Sequence, residues 1–420
     1  MEPTRDVVVV GGGPAGSTAA LLLAQRGLDV LLLDEATFPR DKVCGEAVSP
    51  GAWELLEAMG ATTELRRAGA RAIAGMRLVS PKGRSFEGVY DGGRTSGFSL
   101  ERRVLDAILL DRARDGGVEV RQHARVTGLL RDGDRAGRTG TGDDAIGSGR
   151  GATVTGVVTG ADNEPIRARL VIGADGRRSV VARGLGLLHE ARRPRRFAVR
   201  GHWDGMEGLT AFGEMHVGGG GYCGLAPLPG GRANVTFVLD QNKMVPAGGD
   251  LEAFYRSRLS DWPRIAERLT NARLVEPPRA IGPLALESSR AWAPGVLLVG
   301  DAAGFFDPFT GEGIAAGLKS ADCAAEIGHA FLTGRRKTLA DYGRAHQEMT
   351  RQKFRFNRTI QWIVGREQLA ELAALTLHAL PAVANHLVDK AGDCFPGRAR
   401  VSCRMASTQL RRVADRHRRP

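Results

Sequence analysis

The first 35 residues contain the pattern that most constrains the fold of this chain. An apolar, β-branched run at 7–10 predicts a strand buried on both faces. A glycine-rich turn follows at once, then a helical pattern at 17–25 and a second apolar run at 30–33. Two parallel strands joined through a helix form the repeating unit of a doubly wound sheet. The sequence therefore predicts an α/β fold that begins near the N-terminus.

The turn between the first strand and the helix has the spacing G-x-G-x-x-G, with Pro14 and Ala15 before the last glycine. Gly11 permits a sharp exit from the strand, Gly13 lets the backbone approach a pyrophosphate, and Gly16 lets the helix pack closely on the sheet. The N-terminus of the helix also presents unpaired N–H groups and a positive dipole end to an anion. This turn therefore predicts a dinucleotide-binding site.

Two acidic residues, Asp34 and Glu35, follow the second strand. A carboxylate at this position accepts hydrogen bonds from the ribose hydroxyls of the adenosine. Both residues are candidates for this contact. Asp34 is favoured because it is the first polar residue after the strand.

Composition bounds the partners and the compartment of the protein. The net charge is +12, but only 7 of the 59 basic residues are Lys and most are spread along the chain. No nucleic-acid-binding motif accompanies them, so nucleic acid is not expected as a partner. With no run of about 18 apolar residues, no signal-like segment and no C-x-x-C pair among five cysteines, a soluble protein of the reducing cytoplasm is expected.

The C-terminal part of the chain combines apolar helical patterns with basic residues. An apolar helical segment spans 362–388, and a cluster of arginines follows at 398–419. Packing of the helices on the rest of the protein is the preferred interpretation. Peripheral contact with a membrane is the alternative that this combination leaves open. No pattern fixes an oligomeric state.

Three further stretches follow apolar strands where ligands bind in open α/β sheets. A polar loop at 38–51, which holds Cys44, follows the second strand. The apolar run at 170–172 ends in a turn of glycine and acid, and so does the run at 296–299. A helix is predicted over 313–332. An amphipathic helix is also predicted from Glu101.

Together, these stretches resemble the fingerprint set of the FAD-dependent oxidoreductases. The chain is most similar to the members with the aromatic-hydroxylase fold, in particular the geranylgeranyl reductases and flavin monooxygenases. The resemblance implies FAD as cofactor and NAD(P)H as electron donor. It also implies a Rossmann-like FAD-binding domain, an antiparallel-sheet substrate domain and C-terminal helices. The stretches that carry it are 11–16 with Asp34, 173–179 and 300–313.

The resemblance and the hydrophobic patterns together predict the domain organisation. The predicted divisions are a discontinuous FAD-binding domain at 1–71, 99–184 and 284–335, a substrate domain at 72–98 and 185–283, a helical region at 336–395 and a basic tail at 396–420.

Cofactor contacts are carried over by position. The resemblance implies that Asp301 bonds the ribityl chain and that the helix beginning near Gly313 aims its N-terminus at flavin N1 and O2. Reduction places negative charge there, so the helix dipole favours the reduced flavin. The cofactor-binding residues predicted beyond the glycine turn and the acidic pair are Arg40, Cys44, Gly45, Glu46, Arg102, Val126, Asp175, Gly176, Gly300, Asp301, Gly311, Gly313 and Ile314.

The reaction has two candidate forms. The geranylgeranyl reductases carry an aromatic-rich motif where this chain has 221–227, and here Gly224 and Ala226 replace its tryptophan and phenylalanine. A monooxygenase that uses NAD(P)H and O₂ on a small apolar or aromatic substrate is therefore preferred. A reductase of carbon–carbon double bonds is the alternative, because the Cys44 loop resembles that branch. A flavin-binding protein without turnover is a third hypothesis. The predicted substrate contacts are Tyr222 and Pro308.

Single residues of the loop each have two interpretations. Cys44 is either a catalytic thiol, held as thiolate by Arg40 and Lys42, or a small residue that packs beside the cofactor. Glu46 either contacts FAD or pairs with one of those two cations. The histidines have no metal-ligand spacing, so no metal site is expected, and three of them, His123, His202 and His216, are predicted to lie at the surface or in hairpins.

Overall fold

The computed structural model describes residues 3–133, 152–160, 164–190, 195–244, 249–305 and 307–394. The glycine-rich polar stretch at 131–152, whose composition predicts a long hairpin loop, lies largely outside these residues, and so does the basic tail. The helices are α1 (Pro14–Ala24), α2 (Trp53–Ala58), α3 (Thr62–Arg67), α4 (Arg102–Asp115), α5 (Val180–Gly184), α6 (Leu251–Leu259), α7 (Pro263–Arg268), α8 (Gly313–Leu332), α9 (Ala340–Val364), α10 (Glu367–Ala379) and α11 (Pro381–Gly392).

The described residues also form several short 3-10 helices and twenty-two strands. They are β1 (Arg5–Val10), β2 (Val30–Leu33), β3 (Ala47–Val48), β4 (Arg71–Ile73), β5 (Gly75–Val79), β6 (Ser85–Val89), β7 (Gly97–Ser99), β8 (Glu119–Arg121), β9 (Val126–Arg131), β10 (Val154–Thr159), β11 (Glu164–Gly173), β12 (Leu188–Glu190), β13 (Arg196–Asp204), β14 (Phe212–Gly218), β15 (Gly221–Pro227), β16 (Arg232–Asp240), β17 (Arg273–Leu274), β18 (Arg279–Ile281), β19 (Leu286–Ser288), β20 (Trp292–Ala293), β21 (Val296–Leu298) and β22 (Gly304–Phe305).

The first large sheet has the order β20-β21-β11-β1-β2-β8. The pairs from β21 to β8 are all parallel, and β20 closes one edge as an antiparallel strand. Val7, Val8 and Val9 are fully buried, since helices α1, α4 and α8 belong to the same core. The predicted α/β fold with a parallel sheet is confirmed. The carboxyl ends of β1, β2, β11 and β21 meet at one edge, where loops of this fold bind ligands.

The second large sheet has the order β17-β13-β16-β15-β14-β5-β6, with β18 also paired to β13. Its pairs are antiparallel except β14 with β5, which is parallel. One face packs on α6 and α7 around the aromatic side chains of Phe237, Tyr255 and Trp262. The opposite face looks toward the first sheet, and polar side chains of β13 and β16 project from it into the space between the sheets.

The C-terminal helices α9, α10 and α11 cover the end of the second sheet. Ile360 and Val364 of α9 and Ala370 of α10 pack with Tyr222 and Phe309, at the apolar end of that face. The helices of the described chain include none that combines the length and the apolar character required to cross a bilayer.

Candidate cofactor and substrate site

The glycine turn after β1 has the geometry that its spacing predicts. Gly11 has φ of +103°, and a Cβ there would lie 2.5 Å from the Ala174 carbonyl oxygen. A Cβ on Gly16 would lie 1.8 Å from the Gly11 carbonyl oxygen. At Gly13, the nearest atom is an Arg40 guanidinium nitrogen at 3.4 Å. The backbone therefore requires glycine at positions 11 and 16, whereas Gly13 leaves an open space beside helix α1.

Helix α1 begins at Pro14 without a side-chain cap and without an acidic residue in its first turn. Its first N–H groups therefore keep their capacity to bind an anion placed against Gly13. Arg40 lies on the same side, with its guanidinium 3.1 Å from Asp106 and over the Phe38 ring. The combination of open backbone, helix N-terminus and cation fits a pyrophosphate.

The two acidic candidates are separated by the structure. Asp34 is buried, and its Oδ2 accepts a hydrogen bond of 2.6 Å from the Gly12 N–H. Glu35 is exposed, with its carboxylate 3.6 Å from Arg125. Only Asp34 is therefore tied to the glycine turn, at the position expected for a ribose contact.

Replacing each acid by alanine tests this assignment. We expect Asp34→Ala to weaken FAD binding by about 1–3 kcal/mol, the range for a lost hydrogen bond to a charged group. Glu35→Ala should change the dissociation constant by less than about twofold, because an exposed ion pair contributes little. Fluorescence titration of apoprotein with FAD measures both constants. The assignment is wrong if Glu35→Ala has the larger effect.

A large cavity runs from the glycine turn into the space between the two sheets. Its volume is about 1630 Å³, counting the part that is open to solvent. Its lining includes both the glycine turn after β1 and strands of the second sheet, so one cavity joins the expected cofactor position to the second sheet. The predicted site residues that line it are Gly13, Pro14, Ala15, Cys44, Gly45, Glu46, Arg102, Gly176, Tyr222, Gly300, Asp301, Pro308, Gly311, Gly313 and Ile314.

Other predicted residues lie away from the cavity wall. Asp175 directs its carboxylate to the start of α5, where it accepts hydrogen bonds from Ser179 Oγ and the Val180 N–H. Burial raises the pKa of Asp175 despite these bonds. Val126 is buried at the start of β9. In the turn at 174–176, the structure thus brings Gly176, but not the Asp175 carboxylate, to the cavity.

The loop after β2 is anchored to the second sheet through its backbone and through Asp41. Arg200 of β13 makes two hydrogen bonds to the Asp41 carboxylate, of 2.8 and 2.6 Å, and is almost fully buried. Burial raises the pKa of Asp41, but the Arg200 guanidinium lowers it by a larger amount, so the pKa lies below its ordinary value. Asn234 Nδ2 donates to the Cys44 carbonyl oxygen at 2.8 Å. These contacts fix Cys44 and Glu46 at the cavity wall.

Glu46 is the most constrained residue of the loop. It has φ of +59°, which is uncommon outside glycine and favours a functional explanation, and its side chain is fully buried. Oε1 accepts from the Arg102 N–H at 2.9 Å, and Oε2 lies 2.7 Å from His202 Nε2. The expected pairing of Glu46 with Arg40 or Lys42 is therefore wrong, because Arg40 pairs with Asp106 and Lys42 lies 3.6 Å from Asp301.

Two of the three histidines predicted to lie at the surface or in hairpins are buried, although His216 does lie in the β14–β15 hairpin. His202 and His216 are buried in strands of the second sheet, and each bonds a buried glutamate. Because β13 alternates, Arg200 and His202 share its inner face, directly opposite Thr236 and Asn234 of β16. Polar residues at alternate positions of two predicted strands indicate a polar face in the sequence. They indicate this site only once the pairing of the two strands is known.

Cys44 and Arg102 meet behind the loop. The Cys44 sulfur accepts a hydrogen bond of 3.4 Å from the Glu46 N–H and also interacts with the Arg102 guanidinium. Arg102 makes two 2.7 Å bonds to Asp106 one turn later in α4. Burial lowers the pKa of Arg102, but Asp106 and Cys44 together raise it by a larger amount, so this buried arginine stays charged. Arg102, rather than Arg40 or Lys42, is therefore the cation beside the thiol.

The far end of the cavity is apolar. Tyr222 donates its hydroxyl to Asp307 at 2.6 Å, and its ring meets Phe309 edge-on at 4.9 Å. Burial and the Asp307 charge raise the pKa of Tyr222 well above its ordinary value, so the hydroxyl remains a donor. The ring thus serves as cavity wall and core aromatic together. The remaining apolar wall consists of Met76, Met215, Val238, Ile281, Leu284 and Phe305.

Proteins of known family that are similar to this chain also indicate an FAD-binding site. The FAD-binding-domain family matches residues 4–201. A digeranylgeranylglycerophospholipid reductase from Methanosarcina mazei is 31% identical over 342 residues, 79% of this chain and 77% of that protein. A menaquinone reductase from Mycobacterium tuberculosis is 30% identical over 346 residues, 78% of this chain and 77% of that protein. This chain belongs to the FAD-dependent oxidoreductases of the geranylgeranyl reductase group.

Solved structures share the fold of this oxidoreductase. A flavin-dependent brominase superposes with a TM-score of 0.78 at 17% identity, over 99% of this chain and 100% of that protein. A geranylgeranyl bacteriochlorophyll reductase-like protein from Thermoplasma acidophilum superposes with a TM-score of 0.68 at 24% identity, over 92% and 95% of the two chains. At these identities, the likeness concerns the fold alone.

FAD fits the residues of this oxidoreductase at both ends of the cavity. The open backbone at Gly13 and the uncapped start of α1 suit the pyrophosphate, and Asp34 suits the ribose. Further along the cavity, Gly313 and Ile314 at the start of α8 belong to its lining. This helix has no side-chain cap, so its first N–H groups are available to a ligand. Gly300 has φ of +58°, and a Cβ added to it would lie only 3.0 Å from the Ala15 Cβ. Glycine at this position therefore lets the turn approach α1 closely. When bound, FAD supplies two-electron redox chemistry.

Proposed function

We propose that this oxidoreductase reduces carbon–carbon double bonds in the polyprenyl chain of a lipid, with NAD(P)H as the electron donor. The observation that carries the proposal is the apolar end of the cavity. Side chains such as Met215, Val238 and Phe309 continue directly from the polar residues that surround the cofactor position. A polyprenyl chain is apolar along its length and offers double bonds at regular intervals. Such a cavity holds it by burial of hydrocarbon and not by specific hydrogen bonds.

The relatives support the same substrate class. Digeranylgeranylglycerophospholipid and menaquinone are the compounds in the names of two relatives that share about three quarters of their length with this chain. Both compounds carry polyprenyl chains. The residues at 221–227 depart from the aromatic-rich motif, and the structure places Gly224 and Ala226 on the cavity wall.

Reductive single turnover tests the proposal. The holoenzyme is reduced anaerobically with dithionite and then mixed with menaquinone or with digeranylgeranylglycerophospholipid. We expect the flavin absorbance to return with one of them in the absence of O₂, and the recovered lipid to have gained two hydrogen atoms at a double bond of its polyprenyl chain. The analysis of the chain is needed because the quinone ring of menaquinone also oxidises reduced flavin. Return of the absorbance with O₂ only, together with an oxygenated product, would favour the second candidate function.

The second candidate is a monooxygenase that acts on an apolar or aromatic compound. The smaller residues Gly224 and Ala226 favour it, because they depart from the motif of the reductases. It requires O₂ and yields a hydroxylated product, so the two functions are separated by one product analysis.

The outer face of the C-terminal helices suggests how such a lipid would reach the cavity. The exposed large hydrophobic side chains of the described chain all lie on or between α9, α10 and α11. They are Trp362, Leu372, Leu375, Leu380 and Val383, each between 45% and 59% exposed. Exposed arginines accompany them, namely Arg351, Arg355, Arg358 and Arg366. The inner face of the same helices contacts the apolar end of the cavity. Apolar and basic side chains together suit an anionic lipid surface.

Vesicle binding tests this route. We expect the holoenzyme to sediment with phosphatidylglycerol vesicles and less with phosphatidylcholine vesicles. The double variant Leu372→Glu/Leu375→Glu should bind at least about tenfold more weakly, since it places charge on the apolar face. The variant Arg256→Glu on α6 changes the net charge equally and should retain binding. Equal binding by both variants would refute the assignment, as would a stable dimer that buries this face in sedimentation velocity.

A further inference from the structure

A chain of three ionisable side chains connects the cavity with the protein surface. Glu46 is fully buried and lines the cavity. Its Oε2 lies 2.7 Å from His202 Nε2, and His202 Nδ1 lies 3.0 Å from Glu276 Oε1. His202 is only 2% exposed, whereas the Glu276 side chain is 29% exposed. The chain therefore begins at the cavity wall and ends in contact with solvent.

The two contacts of His202 require a proton beyond the ordinary count. A neutral imidazole carries one N–H, and carboxylate oxygens only accept hydrogen bonds. With carboxylate oxygens at both ring nitrogens, one contact would place two acceptors face to face. The Nε2 contact has the geometry of a hydrogen bond, and the 3.0 Å Nδ1 contact is close enough for an ion pair. Both contacts are favourable when a second proton resides on the ring or on one of the carboxylates. The geometry thus describes a site that stores one proton and can pass it to either side.

Charged and polar groups around the chain orient its two carboxylates. Arg200 lies 3.8 Å from Glu46 and 3.2 Å from Glu276, so it faces both carboxylates. Asp41 compensates Arg200 and is itself 3.3 Å from Arg279. Asn234 donates a hydrogen bond of 3.0 Å to the same Glu46 oxygen that faces His202, and the Arg102 N–H binds the other oxygen. These donors hold the Glu46 carboxylate in one orientation.

From this geometry we infer that Glu276, His202 and Glu46 form a proton path that supplies the cavity. The inference deepens the proposed function and rests on it for the last step. Saturation of a double bond adds a hydride to one carbon and a proton to the other. The hydride is the part that the reduced cofactor supplies. The proton leaves the Glu46 carboxyl group, His202 reprotonates Glu46, and Glu276 restores the proton on His202 from solvent.

The path also acts before any substrate binds. FAD bound at the fitted residues would, on reduction, bring negative charge near the buried Glu46 carboxylate. Like charges in a low-dielectric site repel, so transfer of a proton from His202 to Glu46 would relieve this repulsion. The protonated Glu46 is then the acid that the reduction of a double bond requires. His202 acts through Glu46 and is a positioning and relay residue, not a residue that contacts substrate.

Infrared difference spectroscopy of the holoenzyme tests the path without a substrate. The cofactor is photoreduced anaerobically, and the reduced-minus-oxidised spectrum is recorded in H₂O and D₂O. We expect a carboxylic-acid carbonyl band that shifts in D₂O and is absent in Glu46→Gln. In His202→Gln, the band should appear about 10²-fold more slowly, in line with the loss of an acid–base group. His216→Gln also alters a buried histidine that bonds a glutamate, and it should leave the rate unchanged.

Two outcomes would overturn the inference. One is the absence of the Glu46 band in wild-type protein with fully reduced flavin. The other is a band that appears at the wild-type rate in both His202→Gln and Glu276→Gln. Glu276→Gln keeps the test decisive if His202→Gln fails to fold, because the Glu276 side chain is partly exposed. If the spectra behave as expected but neither polyprenyl lipid is reduced, the proton path stands and the proposed substrate class is wrong.

Discussion

Replacing Gly13 by valine is expected to abolish FAD retention while the protein still folds. Gly13 has φ of −71° and ψ of −177°, an extended conformation that valine adopts readily. The added side chain would point into the space beside α1, where only Arg40 lies within 4 Å. It would therefore occupy the position of the pyrophosphate. We expect FAD affinity to fall by about 100-fold or more, which corresponds to about 3 kcal/mol.

The control for this variant is Gly128→Val. Gly128 lies in β9, and a Cβ there meets no atom within 4 Å. The same chemical change in open space should leave the yellow holoenzyme intact. Flavin absorbance after gel filtration and the circular dichroism of both variants are the measurements. Retention of FAD by folded Gly13→Val would show that the pyrophosphate does not lie against this glycine.

Replacing Cys44 by alanine is expected to lower turnover about 10²-fold, the lower end of the range for acid–base groups, with FAD still bound. The sulfur lies at the cavity wall in contact with the charged Arg102 guanidinium, and its neighbour Glu46 ends the proton path. Alanine removes the sulfur but leaves the backbone bond from Asn234 to the Cys44 carbonyl oxygen. The measurement is single-turnover reoxidation of the reduced flavin by the lipid substrate.

Cys394→Ala is the matched control for Cys44→Ala. Cys394 is half-buried like Cys44, but burial and Asp389 raise its pKa to about 12, so its thiol stays protonated. We expect normal turnover from this variant. If Cys44→Ala also turns over at the wild-type rate, Cys44 only packs beside the cofactor. A retained rate in Cys44→Ser with loss in Cys44→Ala would assign a polar and not a sulfur-specific role.

The sequence was sufficient to predict the backbone geometry of the candidate cofactor half of the site. The glycine turn, Asp34 and the start of α8 at Gly313 are local patterns, in which nearby residues enforce the backbone geometry. The helix predicted over 313–332 coincides with α8. Local constraints of this kind are readable because each depends on only a few neighbouring residues.

The substrate half could not be predicted because its residues meet through long-range pairing. Arg200 and His202 reach Asp41 and Glu46 across about 160 positions of the chain. The register of β13 with β16 determines that these side chains face the loop. A one-residue shift would turn them to the other face, and no local pattern in the sequence fixes that register. One of the two interpretations of Glu46, its pairing with Arg40 or Lys42, was wrong for the same reason.

Mass analysis of the product most directly tests the account. Reduced holoenzyme is incubated with menaquinone or digeranylgeranylglycerophospholipid in D₂O, first without O₂ and then with it. The account predicts a product in which two hydrogen atoms have been added on the carbons of a former double bond, both of them deuterium because the N–H hydrogens of reduced flavin exchange with D₂O, and which forms equally well without O₂. A product that has gained an oxygen atom, and that forms only when O₂ is present, would contradict it.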